Sequence, residues 1–311
     1  MALLETQELT VRYGGLAAND SVNLHVEPGK LVGLIGPNGA GKTTFIDAIT
    51  GFTAVSHGTI EFDGHELNEL SADRRAHLGL ARTFQSLELF EDLTVRDNLL
   101  VAAERPRWYS FALDLLRPGR SQSESEQQVD RALDALDLQR SADRLPSDLS
   151  HGQRKLVGVA RALAAAPKLL LLDEPAAGLD TAESQKLGAH LRQFLSSGTS
   201  IFLIDHDMGL VLNVCDYIYV LDFGRIIAEG TSAEIRKDPA VIAAYLGETA
   251  GEAQALEGTS LAAALHTDVD LLVNADAALP IIPDEGSPVH ADADADGDAD
   301  DDALRGGGKD A

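Results

Sequence analysis

The sequence predicts an α/β protein that combines a mixed β-sheet with an antiparallel β subdomain and an inserted α-helical subdomain. Apolar segments typical of buried strands lie at 31–35, 169–172 and 201–204, and helical patterns lie between them. Such alternation favours a parallel sheet covered by helices. The stretch from about 87 to 166 is helical in pattern, so we expect it to be an insertion into the sheet domain.

Two antiparallel strands are expected near the N-terminus. Apolar and polar residues alternate over 9–13 and 22–26, and Gly14-Gly15 marks a turn between these segments. A period of two places the apolar side chains on one face of each strand. A further short strand is expected at 59–62, and Ser71 is expected to cap the helix that follows.

An amphipathic helix is predicted inside the helical subdomain. Val129, Ala132, Leu133 and Leu136 are spaced at i, i+3, i+4 and i+7. This spacing gives an apolar stripe that packs against a core.

The sheet resumes after the insertion. A helix from about 181 to 196 separates two apolar strands, which is the order of a β-α-β unit. A hairpin at 217–228 precedes short helices that end at 247. Residues 1–247 are therefore expected to form one domain, which is long enough to bury a sizeable core.

The net charge of −25 argues against a general nucleic-acid-binding protein, and it is unevenly distributed. Residues 248–311 hold 16 of the 50 acidic residues and 2 of the 25 basic residues. We expect a mostly disordered acidic tail here, because the segment is rich in Ala and Asp and has little periodicity. The run 292–298 is similar to the start of a calcium loop, but Ala303 stands at the position of the Glu ligand, which favours a solvated tail over specific Ca²⁺ binding.

The composition also bears on the cellular setting. The single cysteine, Cys215, excludes a disulfide framework and favours a reducing compartment. The sequence contains no run of about 18 apolar residues, and its N-terminus has a strand pattern rather than that of a signal peptide. We therefore expect a protein that neither spans a membrane nor is secreted.

A phosphate-binding loop is predicted at 36–43, which matches G-x-x-x-x-G-K-[ST] between a strand and a helix. Small residues let backbone N–H groups surround a phosphate chain, and the helix N-terminus adds partial positive charge. Lys42 supplies a cation for the β- and γ-phosphates, and the Thr43 hydroxyl can ligate Mg²⁺. A glycine-rich turn without a ligand is the alternative. The residues expected to bind ATP here are Gly36, Pro37, Asn38, Gly39, Ala40, Gly41, Lys42, Thr43 and Thr44.

Two adjacent carboxylates follow the apolar strand at 169–172. Ligands of open α/β sheets bind at the carboxyl ends of the strands, where Asp173 and Glu174 are placed. Asp173 is expected to hold Mg²⁺, as in other P-loop enzymes, and Glu174 to orient and deprotonate the attacking water. An acidic pair held in salt bridges at a sheet edge is the alternative.

A second phosphate-binding turn is predicted by Leu-Ser-His-Gly-Gln at 149–153, which opens a helix just ahead of the acidic strand. This pattern resembles the signature loop of the ATP-binding cassette family, and the resemblance covers residues 1 to about 247. It implies a P-loop, RecA-like core and a turn that serves the ATP bound to the opposite subunit. The residues concerned are Ser150, His151, Gly152 and Gln153. A plain helix N-cap is the alternative, but the position of the motif just ahead of the acidic strand favours the signature loop.

Four further positions match motifs of the same family. The resemblance implies that Tyr13 stacks on adenine, that Gln85 senses Mg²⁺ and water, that Asp180 communicates across a dimer, and that His206 contacts the γ-phosphate and supports the base. Taken singly, each has an ordinary structural interpretation; their order and spacing favour the functional one.

His151 departs from the family pattern, in which the third signature residue is usually glycine. Ser150 and Gly152, the positions that face phosphate, are intact. The position is expected to tolerate substitution, although histidine changes charge near neutral pH and could modulate activity.

A narrower resemblance is carried by Arg-Thr-Phe-Gln at 82–85 and Ala-Tyr-Leu-Gly at 244–247. These segments are similar to the ATPase subunits of bacterial branched-chain amino acid importers, and of the two ATPase types in those importers the LivG type is the closer match. Related ATPases for urea or short amides and for lipopolysaccharide export share much of the pattern.

The resemblance implies partners and a location. Two cassettes, identical or one of them a LivF-like homologue, would enclose two ATP molecules at their interface and act with transmembrane permease subunits on the cytoplasmic face of the membrane. A periplasmic or extracellular solute-binding protein would take part indirectly. The alternative is a soluble cassette ATPase for assembly or repair, but neither a second cassette nor a long coiled-coil insertion is present in this sequence.

Overall fold

The computed structural model describes residues 1–83, 89–104, 120–195 and 198–245 of the chain. Among the sequence predictions, Gln85 and the acidic tail lie outside these residues. Among the helices that the model describes, none is both long enough and apolar enough to cross a membrane.

In the described part of the chain, ten strands form two sheets. The strands are β1 (Leu4–Tyr13), β2 (Leu16–Val26), β3 (Leu31–Ile35), β4 (His57–Phe62), β5 (His65–Glu66), β6 (Leu80–Arg82), β7 (Leu169–Asp173), β8 (Ser200–Ile204), β9 (Tyr217–Asp222) and β10 (Arg225–Gly230). The antiparallel sheet has the order β2-β1-β4-β5, and the mixed sheet has the order β10-β9-β3-β8-β7-β6. The predicted mixed sheet and antiparallel β subdomain are therefore confirmed.

The helices are α1 (Lys42–Thr50), α2 (Ala72–Leu78), α3 (Val95–Ala103), α4 (Arg120–Ala135), α5 (His151–Ala164), α6 (Thr181–Leu195), α7 (Met208–Val214) and α8 (Ser232–Ile235). Residues 239–245 are also helical. Helices α3, α4 and the start of α5 pack together as the predicted helical subdomain. Ser71 occupies the N-cap position of α2, as expected, but its side chain makes no capping hydrogen bond there.

The mixed sheet is buried on both faces, because alternate residues of its strands enter two different cores. Leu170, Leu172 and Ile201 pack with the helical subdomain and with α6 and α7. Leu169, Leu171 and Phe202 pack with α1 and the antiparallel sheet. The continuous apolar pattern of β3, β7 and β8 follows directly from this arrangement.

The predicted amphipathic stripe is also confirmed. Val129, Ala132, Leu133 and Leu136 are all buried within the core of the helical subdomain. Cys215 directly follows α7 and is buried against Gly33, and its burial raises the pKa of the thiol. The cysteine is therefore a small core residue.

Candidate nucleotide-binding site

Three neighbouring parallel strands deliver the predicted site residues to one edge of the mixed sheet. Strand β8 lies between β3 and β7, and Ile204 pairs with Leu34 on one side and with Asp173 on the other. The phosphate loop follows β3, Glu174 follows β7, and His206 lies two residues beyond the end of β8. Parallel strands end at the same edge, so the topology gathers these groups there.

The phosphate loop is held by a close backbone approach that only glycine permits. Gly41 has φ +106°, and a Cβ atom there would lie 2.4 Å from the carbonyl oxygen of Ala18. The φ angle and the contact both exclude larger residues. Gly39, at the exposed tip of the loop, also has a positive φ of 80°, but a Cβ atom there would meet nothing within 4 Å.

Distant segments clamp the loop from outside. The backbone N–H of Gly224, in the turn between β9 and β10, donates to the carbonyl oxygen of Ala40 at 2.8 Å. The side-chain amide of Asn19 donates to the carbonyl oxygen of Gly41 at 3.2 Å. An ion pair between Arg225 and Asp20 at 2.5 Å joins the same turn to β2. These contacts fix the loop against β2 and the turn between β9 and β10.

Lys42 places a cation inside the loop. Its side chain is buried, and its ammonium donates to the carbonyl oxygens of Gly36 and Pro37. Thr43 is exposed in the first turn of α1, where the helix end carries partial positive charge. A buried ammonium, an exposed hydroxyl and a helix N-terminus behind a glycine-rich cradle fit the phosphate chain of a nucleotide.

Asp173 is buried at the end of β7 and is ion-paired. Its carboxylate Oδ2 accepts from Nη2 of Arg82 at 2.8 Å, and the same guanidinium contacts Asp47 Oδ1 at 2.5 Å. The backbone N–H of Asp173 donates to the hydroxyl of Thr83 at 3.3 Å. The sequence predicted Asp173 as a cation ligand but did not identify Arg82 as its partner. The two residues are 91 positions apart, and no local pattern connects them.

Glu174 occupies a strained backbone position beside His206. It has φ +48°, a left-handed conformation that is uncommon for residues other than glycine. Its backbone N–H donates to the carbonyl oxygen of Ile204 at 2.8 Å, which fixes the turn against β8. His206 Nδ1 lies 4.0 Å from Glu174 Oε2 and 3.6 Å from Asp205 Oδ1. The predicted base, Glu174, and the histidine expected to support it, His206, are therefore neighbours.

Asp205, which is buried, and Lys155, which is partly buried, are further charged residues near Glu174. Burial raises the pKa of Asp205, whose carboxylate accepts backbone hydrogen bonds from Ala176 and Asp207. Burial lowers the pKa of Lys155, although the nearby carboxylates of Asp205 and Glu174 act in the opposite direction. The Lys155 ammonium donates to the carbonyl oxygen of Ala177. Sequence patterns missed both residues, although the position of Asp205 directly before His206 was a signal for one of them.

The signature turn, residues 150–153, begins α5 with a capping box. The backbone N–H of Gln153 donates to Ser150 Oγ at 3.2 Å, and the backbone N–H of Ser150 donates to Gln153 Oε1 at 3.1 Å. Ser150 and His151 are exposed, whereas Gly152 packs so closely on Glu183 that a Cβ atom would lie 2.7 Å from its Oε1. The turn therefore presents one face to solvent and rests the other on the start of α6.

Asp180 and Tyr13 lie on the surface. Asp180 Oδ1 accepts from the backbone N–H of Glu183 at 2.8 Å, which caps α6 beside the signature turn. The imidazole of His151 lies next to Gly178, which is two residues before Asp180. Tyr13 is 54% exposed at the end of β1, and its hydroxyl is 3.2 Å from Thr53 Oγ1. An exposed aromatic ring of this kind is available for stacking.

A strand, a glycine-rich loop with a buried lysine, a helix and a carboxylate at the end of a neighbouring strand define a P-loop nucleotide-binding protein. Residues 19–177 match the family model of ABC transporters, and residues 225–251 match a model described as "Branched-chain amino acid ATP-binding cassette transporter". The chain belongs to the ABC transporter family, as a subunit that binds and hydrolyses ATP.

Curated relatives resemble this chain over almost their whole length. The high-affinity branched-chain amino acid transport ATP-binding protein BraF of Pseudomonas aeruginosa is 40% identical over 250 residues, which cover 79% of this chain and 98% of the relative. The corresponding protein LivG of Escherichia coli gives the same identity and coverage. The resemblance to the LivG type that the sequence predicted is confirmed.

Solved structures confirm the fold. The ADP conformation of MJ1267, an ATP-binding cassette of an ABC transporter, superimposes with a TM-score of 0.69 and 32% identity, covering 79% of this chain and 99% of that one. A dimeric post-hydrolysis structure of the cassette MJ0796 bound to ADP and Pi has a TM-score of 0.62 and 25% identity, covering 74% of this chain and 98% of that one.

Proposed function

We propose that this ATPase drives the import of branched-chain amino acids. The observation that carries the proposal is the 40% identity to BraF and LivG over 98% of their length. The match of residues 225–251 to a branched-chain family model supports it independently, because that segment lies outside the general cassette match at 19–177.

The phosphate loop and Tyr13 form the first half of the ATP site. Lys42 and the backbone N–H groups of residues 38–41 bind the phosphate chain, and the Tyr13 ring stacks on adenine. The side chains that would hold Mg²⁺ are Thr43, Asp173 and Gln85. When bound, the cation neutralises charge on the β- and γ-phosphates.

Glu174 acts as general base. Its carboxylate accepts the proton of the water that attacks the γ-phosphate, and the strained turn at φ +48° aims the side chain from the end of β7. His206, whose Nδ1 is 4.0 Å from Glu174 Oε2, steadies that carboxylate and contacts the γ-phosphate. Asp205 and Lys155 hold the surrounding backbone through their hydrogen bonds with its N–H and carbonyl groups.

A second cassette completes the site. The exposed turn Ser150–Gln153 binds the ATP held by the phosphate loop of the partner cassette, and Asp180 lies at the same interface. The dimeric form of the related MJ0796 supports this arrangement. ATP then favours the closed dimer because it binds that state more tightly than the open one, and hydrolysis removes this preference.

The partners follow from this mechanism. The second cassette is a copy of this chain or a LivF-like homologue, the pair docks on transmembrane permease subunits at the cytoplasmic face of the membrane, and a solute-binding protein delivers the substrate from outside. The closure of the cassette dimer is transmitted to the permease through the segment after Gln85.

Reconstitution tests the transported substrate. We expect the cassette, co-expressed with permease subunits of a branched-chain amino acid importer, to co-purify with them. Its ATP hydrolysis in proteoliposomes should be stimulated by a solute-binding protein loaded with leucine. Stimulation by urea or short amides instead, or activity that needs lipopolysaccharide, would replace amino acids with another substrate. Recovery without any membrane partner would favour a soluble cassette ATPase.

A further inference from the structure

Arg82 lies where three elements of the site meet. It is the last residue of β6, its side chain is 9% exposed, and its guanidinium contacts Asp47 on α1 and Asp173 at the end of β7. Nη1 also donates to Thr50 Oγ1 at 3.3 Å, and the guanidinium carbon lies 5.9 Å from the centre of the Phe52 ring. The side chain is therefore held from several directions.

The geometry of these contacts determines how Asp173 can point. Nη2 of Arg82 donates to Oδ2 of Asp173, and Nη1 donates to Oδ1 of Asp47. A planar guanidinium can hold two carboxylates in fixed directions, which the point charge of a lysine cannot do. The contact between the side chains of Arg82 and Asp173 is made through Oδ2 of Asp173 at 2.8 Å.

We propose that Arg82 is a positioning residue for the cation site: it fixes the Asp173 carboxylate so that its second oxygen is presented to Mg²⁺. The inference rests on the role proposed above for Asp173. It adds a residue outside the phosphate loop, the acidic pair and the signature turn. Partners that hold a ligating carboxylate by hydrogen bonds influence metal affinity strongly.

A second buried arginine supplies a matched control. Arg75 on α2 is 3% exposed and donates to the carbonyl oxygens of Ala48 and Ile49 at 2.6 and 2.8 Å. Both arginines thus brace α1 from inside the protein, but the hydrogen bonds of Arg75 go to backbone carbonyls. Substitution of Arg75 therefore measures how much stability is lost with a buried arginine when the contacts of Asp173 are left in place.

The test is a Mg²⁺ titration of fluorescent ADP binding to the full-length protein, with affinity for the metal-free nucleotide measured in parallel. We expect Arg82→Gln to raise the Mg²⁺ concentration for half-saturation by about tenfold or more, the usual effect of losing a partner of a metal ligand. Metal-free affinity should stay unchanged. Arg82→Lys and Asp47→Asn should give smaller rises, and they extend the test if Arg82→Gln does not fold.

The controls separate this inference from the function on which it depends. Arg75→Gln should lower the melting temperature without changing the Mg²⁺ requirement, and Asp173→Asn should raise that requirement. An unchanged Mg²⁺ requirement in the Arg82 variants, or an equal loss of metal-free binding, would overturn the positioning role. If Asp173→Asn itself left the Mg²⁺ requirement unchanged, the proposed cation site would be wrong instead.

Discussion

The phosphate loop and the signature turn are both helix starts that we propose to bind phosphate, but they are built differently. The loop is clamped by Asn19 and Gly224 and contains the buried side chain of Lys42. The signature turn is exposed at Ser150 and His151, and its hydrogen bonds close on its own helix. One half of the proposed ATP site is thus held within the chain, whereas the other half presents its groups outward, as expected of a site finished by a second cassette.

The largest effect is expected from Glu174→Gln, which leaves both halves intact and removes only the base. ATP hydrolysis should fall at least about 100-fold, the usual contribution of a general base. The variant should instead accumulate as an ATP-dependent dimer in size-exclusion chromatography. Glu61→Gln, on an exposed strand position, is the control. Near-normal hydrolysis by Glu174→Gln would reject the assignment of the base.

A pair of glycine variants tests how rigidly the first half is built. Gly41→Ala should lower the free energy of unfolding by about 2 kcal/mol and weaken ATP binding, since the added methyl group meets both an unfavourable φ and the Ala18 carbonyl. Gly39→Ala meets only the unfavourable φ and should cost less. Thermal melting and nucleotide titration measure both effects. Equal losses in the two variants would show that the clamp around the loop contributes little.

A pair of N-cap variants tests the half of the site that the signature turn forms. Ser150 caps α5, and Thr94 caps α3 by accepting from the backbone N–H of Asp97 at 3.1 Å. Each substitution by Ala should cost about 1 kcal/mol of stability. Only Ser150→Ala should also lower ATP hydrolysis, by about tenfold for one lost hydrogen bond to a charged phosphate. Nucleotide affinity of the isolated subunit should not change, and a fall in that affinity would place Ser150 in the first half of the site.

The smallest effect is expected from removing residues 248–311. This segment carries much of the negative charge but none of the motifs of either half. The rate of ATP hydrolysis and the ATP-dependent dimer should be the same as in the full chain. A slower rate in the truncated protein would show that the acidic tail takes part in one of the two halves.

Local patterns predicted most of the fold. A helix was expected directly after the phosphate loop, and α1 is observed there at Lys42–Thr50, because the loop motif and the flanking Gly41 and Gly51 set its ends. The buried strands β7 and β8 were recognisable from apolar runs that only a doubly covered sheet accommodates. The sequence correctly placed Ser71 at the N-cap of α2, but the Ser71 side chain does not make the capping hydrogen bond. Whether a hydroxyl group makes that bond depends on neighbours in the fold that the sequence does not reveal.

The candidate site was predicted less completely than the fold. The residues expected near the strand ends do meet there, because the order of parallel strands fixes the edge at which they emerge. The contacts of Arg82 with Asp173 and of Lys155 with the Ala177 carbonyl were missed, since each joins elements far apart in the chain. Gln85 and the disorder of the acidic tail remain predictions.

The Gly224 clamp has a consequence for the order in which the protein forms during synthesis. The carbonyl oxygen of Ala40 accepts from the backbone N–H of Gly224, which is 184 positions later in the sequence. Strand β3 likewise pairs with β8 and β9, which come from the last third of the described chain. A nascent chain that emerges N-terminus first exposes the phosphate loop long before its neighbours exist. Nucleotide binding should therefore appear late in translation, only after the β9–β10 turn has left the ribosome.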